Sequence, residues 1–371
     1  MDRKRQQNVF VAYTPYHIFI SLIMALSGGD KDEDQHLIIV SNFSDAQLMY
    51  KSLLSCPSLP FKEIVFYKGE YNLDILNSFQ RKFARFLGVR RICRDLVSHI
   101  KHEKIDKVYL FNEDRAYSLA ILDYVSKQKG AVKASFVEDG TTNYSSYIER
   151  KKMPYLIFGK IFYGLWWKNV PVMGTSKFFD ENWAFFPDFV RPELSDKVKK
   201  QIPLKGILEL ERNQIAARVL LDYEFKLKDI QDLNAIILLS HSSVIARFPE
   251  YKSMLLRVIQ KAQSLGYKVA LKYHPRDDSG SDFLNLNNQP NVTRLRSSAP
   301  LEFIFILARD NIQLVVSDLS TTALTARLLL NNAKIVSAGV LLGSKDERFL
   351  NMLDALGVKL PKSFEEFDQY L

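Results

Sequence analysis

A chain of 371 residues, 47% hydrophobic and 25% charged, has the composition of a globular protein and is too long for one ordinary core, so two domains are expected. Its two cysteines, Cys56 and Cys93, exclude a disulfide framework, and neither has a close Cys or His in zinc-like spacing, so no metal is expected. The net charge of +9 calls for an anionic partner, and nucleic acid is not expected because no recognition motif for it accompanies the charge.

The basic start, Met1-Asp-Arg-Lys-Arg5, lacks the form of a signal peptide, and no apolar run is long enough to span a membrane. Val9–Tyr13 reads as a buried first strand, broken by Thr14-Pro15, and Tyr16–Leu26 as the helix that follows. This is the opening of a doubly wound sheet, without the glycine-rich turn of a dinucleotide site. His36–Val40, Glu63–Tyr67, Lys107–Phe111 and Ala131–Val137 continue the strands. A long helix to His102 carries Arg81, Lys82, Arg85, Arg90, Arg91, Arg94 and Lys101, a solvated face or a docking surface for an anionic lipid or acceptor. Residues 150–172 are basic and aromatic, and read as a buried helix, an interfacial element or a flap on the acceptor side.

Three strand ends are candidates for chemistry, each against a plainer reading: an Asp-Gly turn, a His-Pro turn and a Ser/Thr helix cap. Glu138-Asp139-Gly140 places two carboxylates at the end of a strand, where mutual repulsion raises one pKa toward that of a general base. Lys268–Lys272 is a strand ending in Tyr273-His274-Pro275, and a histidine there can bind a phosphate or move a proton. Gln313–Ser317 leads into Ser320-Thr321-Thr322 and a helix, whose N-terminal N–H groups and hydroxyls suit an anion. Between these, Ala235–Leu239 ends in Ser240-His241-Ser242-Ser243, a further hydroxyl-rich strand end. Pro300 and Glu302 open another helix, with Glu302 placed to accept from ribose hydroxyls. The proline-punctuated stretch from Phe185 marks the domain change, giving domains at 1–190 and 191–371, with the last residues crossing back.

The order of these motifs, with Tyr13-Thr14-Pro15-Tyr16-His17, resembles the bacterial metal-independent sialyltransferases, glycosyltransferase family 52 first and the capsular polysialyltransferases close beside it. The resemblance implies an α/β fold of two Rossmann-like domains facing across a cleft, the GT-B type. It also implies inverting transfer of sialic acid from CMP-sialic acid to a lipooligosaccharide or capsule hydroxyl, with no cofactor. It maps the base to Glu138, ranked above Asp139 by motif position alone. His274 with Pro275, and Ser320 with Thr321 and Thr322, fall on the nucleotide phosphate. Glu302 falls on the ribose. Ser242 is placed on the donor side, and Thr14 and Gly140 on the acceptor side. The expected location is cytoplasmic, peripheral on the inner membrane face, with a homodimer left open. The alternatives are another transferase of surface-polymer synthesis, or a non-catalytic glycan- or membrane-binding protein.

Overall fold

The computed structural model describes residues 5–28, 33–68, 78–148, 157, 159–161, 163–274 and 291–370. The chain divides into two units, Met1–Ile215 and Ala216–Leu371. In the first, β1 (Gln6–Ala12), α1 (Pro15–Ser27), β2 (Glu33–Val40), α2 (Ala46–Leu54), β3 (Phe61–Tyr67) and α3 (Ser78–His102) form one half of a doubly wound sheet. The other half is β4 (Lys107–Leu110), α4 (Ala116–Lys127), β5 (Lys133–Val137), β6 (Phe179–Ala184), β7 (Val198–Gln201) and α5 (Lys205–Arg212). The strands are parallel, in the order β3-β2-β1-β4-β5-β6-β7, so the order reverses between β1 and β4. Side chains such as Val9, Val11, Leu37, Ile39 and Val108 are fully buried, as expected of strands covered by helices on both faces.

The helix α6 (Ile215–Asp222) spans the division. The second unit contains α7 (Leu227–Gln231), β8 (Ala235–Leu238), α8 (Ser242–Ile245), α9 (Pro249–Ser264), β9 (Val269–Lys272) and β10 (Val292–Leu295). It continues with α10 (Leu301–Leu307), β11 (Leu314–Ser317), α11 (Thr321–Leu329), β12 (Lys334–Ser337), α12 (Glu347–Ala355) and α13 (Phe364–Gln369). Its parallel sheet runs β10-β9-β8-β11-β12 and reverses between β8 and β11. Ligands of such sheets bind at the carboxyl ends of the strands beside the reversal.

Two expectations about the domains are corrected. The division falls at Ile215/Ala216, not at 190/191, because β6 and β7 extend the first sheet and α5 packs on α1. That packing is close: a Cβ on Gly206 would come within 2.0 Å of the Ile23 carbonyl oxygen, so only glycine fits without displacing the helix. The final helix belongs to the second unit. α13 packs on α9, and Phe367 is fully buried in the core of the second unit with Tyr251, Met254 and Val258.

The described basic residues of α3, Arg90, Arg91, Arg94 and Lys101, are exposed, as a solvated face and a docking surface both require. Of the 150–172 stretch, Trp167 and Val170 pack against Leu119 of α4, while Leu165 is 90% exposed. Among the described residues no helix is long and apolar enough to cross a membrane.

Candidate active site

In the first unit, the site grows from the turn after β1. Thr14 is the N-cap of α1, its hydroxyl accepting from the His17 N–H at 3.2 Å, and Pro15 occupies the first turn. This brings Tyr16 and His17 to the carboxyl ends of β4 and β5. The His17 ring is buried, stacked on Phe111 with centroids 4.5 Å apart. Its Nδ1 accepts from the Tyr13 backbone N–H at 3.2 Å, which leaves the proton on Nε2. Nε2 therefore donates to Asp139 Oδ1 at 2.8 Å.

The other Asp139 oxygen is held just as specifically. Asn112 Oδ1 accepts from the backbone N–H groups of Asp114 and Arg115, at 2.9 and 3.1 Å. Its amide is thereby oriented, and Nδ2 donates to Asp139 Oδ2 at 2.7 Å. Gly140 follows at φ 59°, a left-handed conformation that lets the chain turn into a short 3₁₀ segment, Gly140–Asn143. Within that turn Asn143 Oδ1 accepts from the Asp139 N–H at 3.2 Å. Burial pushes the Asp139 carboxyl up, but His17, Asn112 and Arg115 outweigh it and hold its pKa below the usual carboxylate value. The side chain remains 20% exposed.

Glu138 has the opposite environment. It is 1% exposed. Tyr16 donates to Oε1, Tyr144 donates to Oε2, and the Phe185 N–H donates to Oε2 at 2.8 Å. Burial dominates and raises its pKa from 4.5 to about 7, against the lowering effect of those three donors. The folded state thus keeps a proton that the unfolded chain releases near pH 4.5. Stability must then fall as pH rises from about 4.5 to about 7, and this contribution is flat above. Glu138→Gln removes it, a difference of about 3 kcal/mol across the window. Urea unfolding at both ends of the window measures this, and parallel profiles for the two proteins would show that Glu138 is already ionised throughout.

In the second unit, His274 follows β9 and His241 follows β8, their rings edge to face at 5.4 Å. Across the strand reversal, Ser240 Oγ donates to Asp318 Oδ2 at 3.0 Å. Ser320 is the N-cap of α11, with extended backbone, yet its hydroxyl caps nothing. Its Oγ is buried and has no hydrogen-bond partner among the described residues. A buried hydroxyl costs free energy unless it is bonded, so a ligand group is the natural partner here. Thr321 and Thr322 form the first turn, and their carbonyls accept from Thr325 Oγ1 at 3.3 and 3.1 Å. Ser242 begins α8 beside His241 and is half-buried. Glu302 lies in the first turn of α10, and burial raises its carboxyl against the pull of Lys272. Lys272 is in turn lowered to about 8 by burial, partly offset by Glu302. Pro275 lies outside the described residues.

The expected residues thus lie past the carboxyl ends of strands, Thr14, Glu138, Asp139 and Gly140 on the first sheet and His274, Ser242, Glu302 and Ser320–Thr322 on the second. His17, Asn112, Tyr16, Tyr144 and Lys272 were not among them. Tyr16 and His17 stand in the Tyr13–His17 motif; nothing local in the sequence marks the other three.

Two parallel α/β units with polar groups collected at the carboxyl ends of their strands define the GT-B class of glycosyltransferase folds. The profile of the alpha-2,8-polysialyltransferase family matches residues 8–338, and the chain belongs to that family. It is accordingly a glycosyltransferase of the sialyl-transferring kind, with a donor and an acceptor substrate. Solved structures agree in fold. The alpha/beta-galactoside alpha-2,3-sialyltransferase of Photobacterium phosphoreum is 12% identical, with 96% of this chain and 98% of that one covered and a TM-score of 0.52. The UDP-GlcNAc 2-epimerase of Neisseria meningitidis is 14% identical, with coverages of 98% and 90% and a TM-score of 0.59. No curated protein matches the chain significantly.

Proposed function

We propose that the protein transfers sialic acid from CMP-sialic acid to a hydroxyl of a sialylated bacterial surface glycan, with inversion and without a metal in the transfer step. The observation that carries the donor assignment is the N-terminus of α11, where Ser320 Oγ is buried, caps nothing and has no partner among the described residues. A single nucleotide phosphate satisfies that hydroxyl and meets the N–H groups of the first turn. His274 adds a ring N–H, and Glu302 accepts from the ribose. These fixed donors stabilise the charge that grows on the departing phosphate, the task a divalent ion performs elsewhere.

Asp139 is the base. It alone of the acidic pair has surface open to an acceptor, and His17 and Asn112 fix both its oxygens while leaving each a lone pair. Geometry ranks before pKa in such a choice. Glu138 becomes a positioning residue, tying Tyr16 of α1 to Tyr144 and to the chain after β6. The acceptor hydroxyl loses its proton to Asp139 as its oxygen attacks the anomeric carbon from the face opposite the leaving phosphate. The family name supports a terminal sialic acid as acceptor, and a net charge of +9 suits that anionic chain.

Incubation with CMP-sialic acid and a sialylated oligosaccharide tests this by mass detection. Release of CMP with growth of the glycan by whole sialyl residues is expected. CMP, and not UDP, should raise the melting temperature. Turnover of a UDP-sugar in place of CMP-sialic acid would overturn the donor assignment.

A further inference from the structure

At the far edge of the first sheet, three side chains converge that the transfer chemistry does not use. His36 on β2 and Glu63 on β3 are register partners in the parallel pair. His99 lies in the last turn of α3. Glu63 Oε2 is 3.6 Å from His36 Nδ1 and 3.7 Å from His99 Nε2, and the three ligand atoms lie within 4.8 Å of one another. Those separations exceed a hydrogen bond. Both ring nitrogens are buried, and neither has a hydrogen-bond partner among the described residues.

The tautomer of His36 is set from behind. Gln7 Nε2 donates to Asp34 Oδ2 at 2.9 Å and to the Arg5 carbonyl at 3.3 Å, so Gln7 Oε1 faces the other way. His36 Nε2 donates to that oxygen at 3.0 Å, which leaves Nδ1 with a bare lone pair aimed at the cluster. His36 is 1% exposed, and an unbonded imidazole nitrogen buried this deeply needs a partner. A carbonyl that orients a histidine from its far nitrogen is the usual outer support of a metal ligand.

We propose that His36, Glu63 and His99 bind one divalent transition ion of the zinc class. Two imidazoles and a carboxylate are a ligand set for such an ion and not for magnesium or calcium, which take oxygen. With bonds of about 2.0–2.1 Å, tetrahedral ligands sit roughly 3.3 Å apart, so the two carboxylate–imidazole separations need to close by only a few tenths of an ångström, and rotation of the part-exposed His99 ring closes the third. Glu63 is 46% exposed, which leaves the fourth position to water. The ion fastens the end of α3 to the β2–β3 edge. On the sheet this lies three strands from β5 and the Asp139 loop, so the ion is structural and separate from transfer. Sequence spacing could not show it, because the ligands come from three elements.

The test uses the untagged full chain, stripped with chelator and titrated with Zn²⁺ against a chromophoric competitor, and with Co²⁺ followed by its visible spectrum. One equivalent is expected, with a higher melting temperature in zinc. His99→Gln and Glu63→Gln, both at positions with solvent access, should lose the cobalt spectrum and the zinc-dependent shift. Gln7→Ala should weaken binding by roughly 10–100-fold through the loss of outer support. Absence of stoichiometric binding in the wild type, or binding unchanged in both His99→Gln and Glu63→Gln, would overturn the site.

Discussion

Asp139→Asn lowers kcat by roughly 10²–10⁴-fold, the range lost with a general base, while KM for the acceptor changes little. The substitution keeps the shape of the side chain and removes its basicity. It has one structural cost. Asn112 is oriented by the Asp114 and Arg115 N–H groups, so its amino group will face a second amino group if the introduced amide turns its oxygen to His17. Leaving one donor unmatched costs about 1–3 kcal/mol, so folding is checked by circular dichroism and the rate is measured well below the unfolding transition. Glu138→Gln is the discriminating partner. Its Oε1 and Nε2 can still serve the Tyr16, Tyr144 and Phe185 contacts after the hydroxyls rotate, so most activity should survive. The reverse result, a silent Asp139→Asn with an inactive Glu138→Gln, would move the base to Glu138. His17→Gln offers a third readout. His17 holds the Asp139 pKa down, so its loss raises that pKa and shifts the acid limb of the kcat/KM profile to higher pH.

The strand ends proposed to carry this chemistry are legible in the sequence because local rules agree there. Lys268–Lys272 alternates, and the carboxylates at 138 and 139 meet a glycine that turns the chain at positive φ. The first sheet was cut short for an equally local reason. β6 reads Phe-Asp-Glu-Asn-Trp-Ala, with polar residues between its buried ones, and β7 is Val-Lys-Lys-Gln, exposed throughout at the sheet edge. An edge strand guarded by lysines has no hydrophobic pattern to find. The partners of Asp139 were hidden by distance along the chain: His17 lies 122 residues before it, and Asn112 lies 27 before it. Only the fold reveals that β1, β4 and β5 are neighbours, and therefore that a histidine and an asparagine select which carboxylate of the pair is held ionised and accessible. The same holds for Ser320. A serine before a helix reads as a cap, and the structure shows a cap position whose hydroxyl bonds to nothing among the described residues.

His274→Ala should reduce kcat by roughly 10²–10³-fold, the loss seen when one fixed donor to a developing anion is removed. The ring stands past the end of β9 against His241, outside the paired register of the strand, so stability should change by less than activity. Ser320→Ala removes a hydroxyl with no partner among the described residues, so it should not destabilise the fold, yet it should cost roughly tenfold in kcat/KM for the donor. Together these separate phosphate binding from folding: both variants melt near the wild type without ligand, and both lose part of the shift produced by CMP. His274→Asn distinguishes the two ways a histidine can act. A phosphate monoester has its second pKa near ~6, so the leaving group departs as a stable anion and needs a hydrogen bond more than a proton. A side-chain amide supplies such a bond, and His274→Asn should recover about one order of magnitude over His274→Ala. An asparagine variant as slow as the alanine variant would instead assign His274 to proton transfer onto the departing phosphate, and steady-state rates across pH would then show a basic limb that only the wild type possesses.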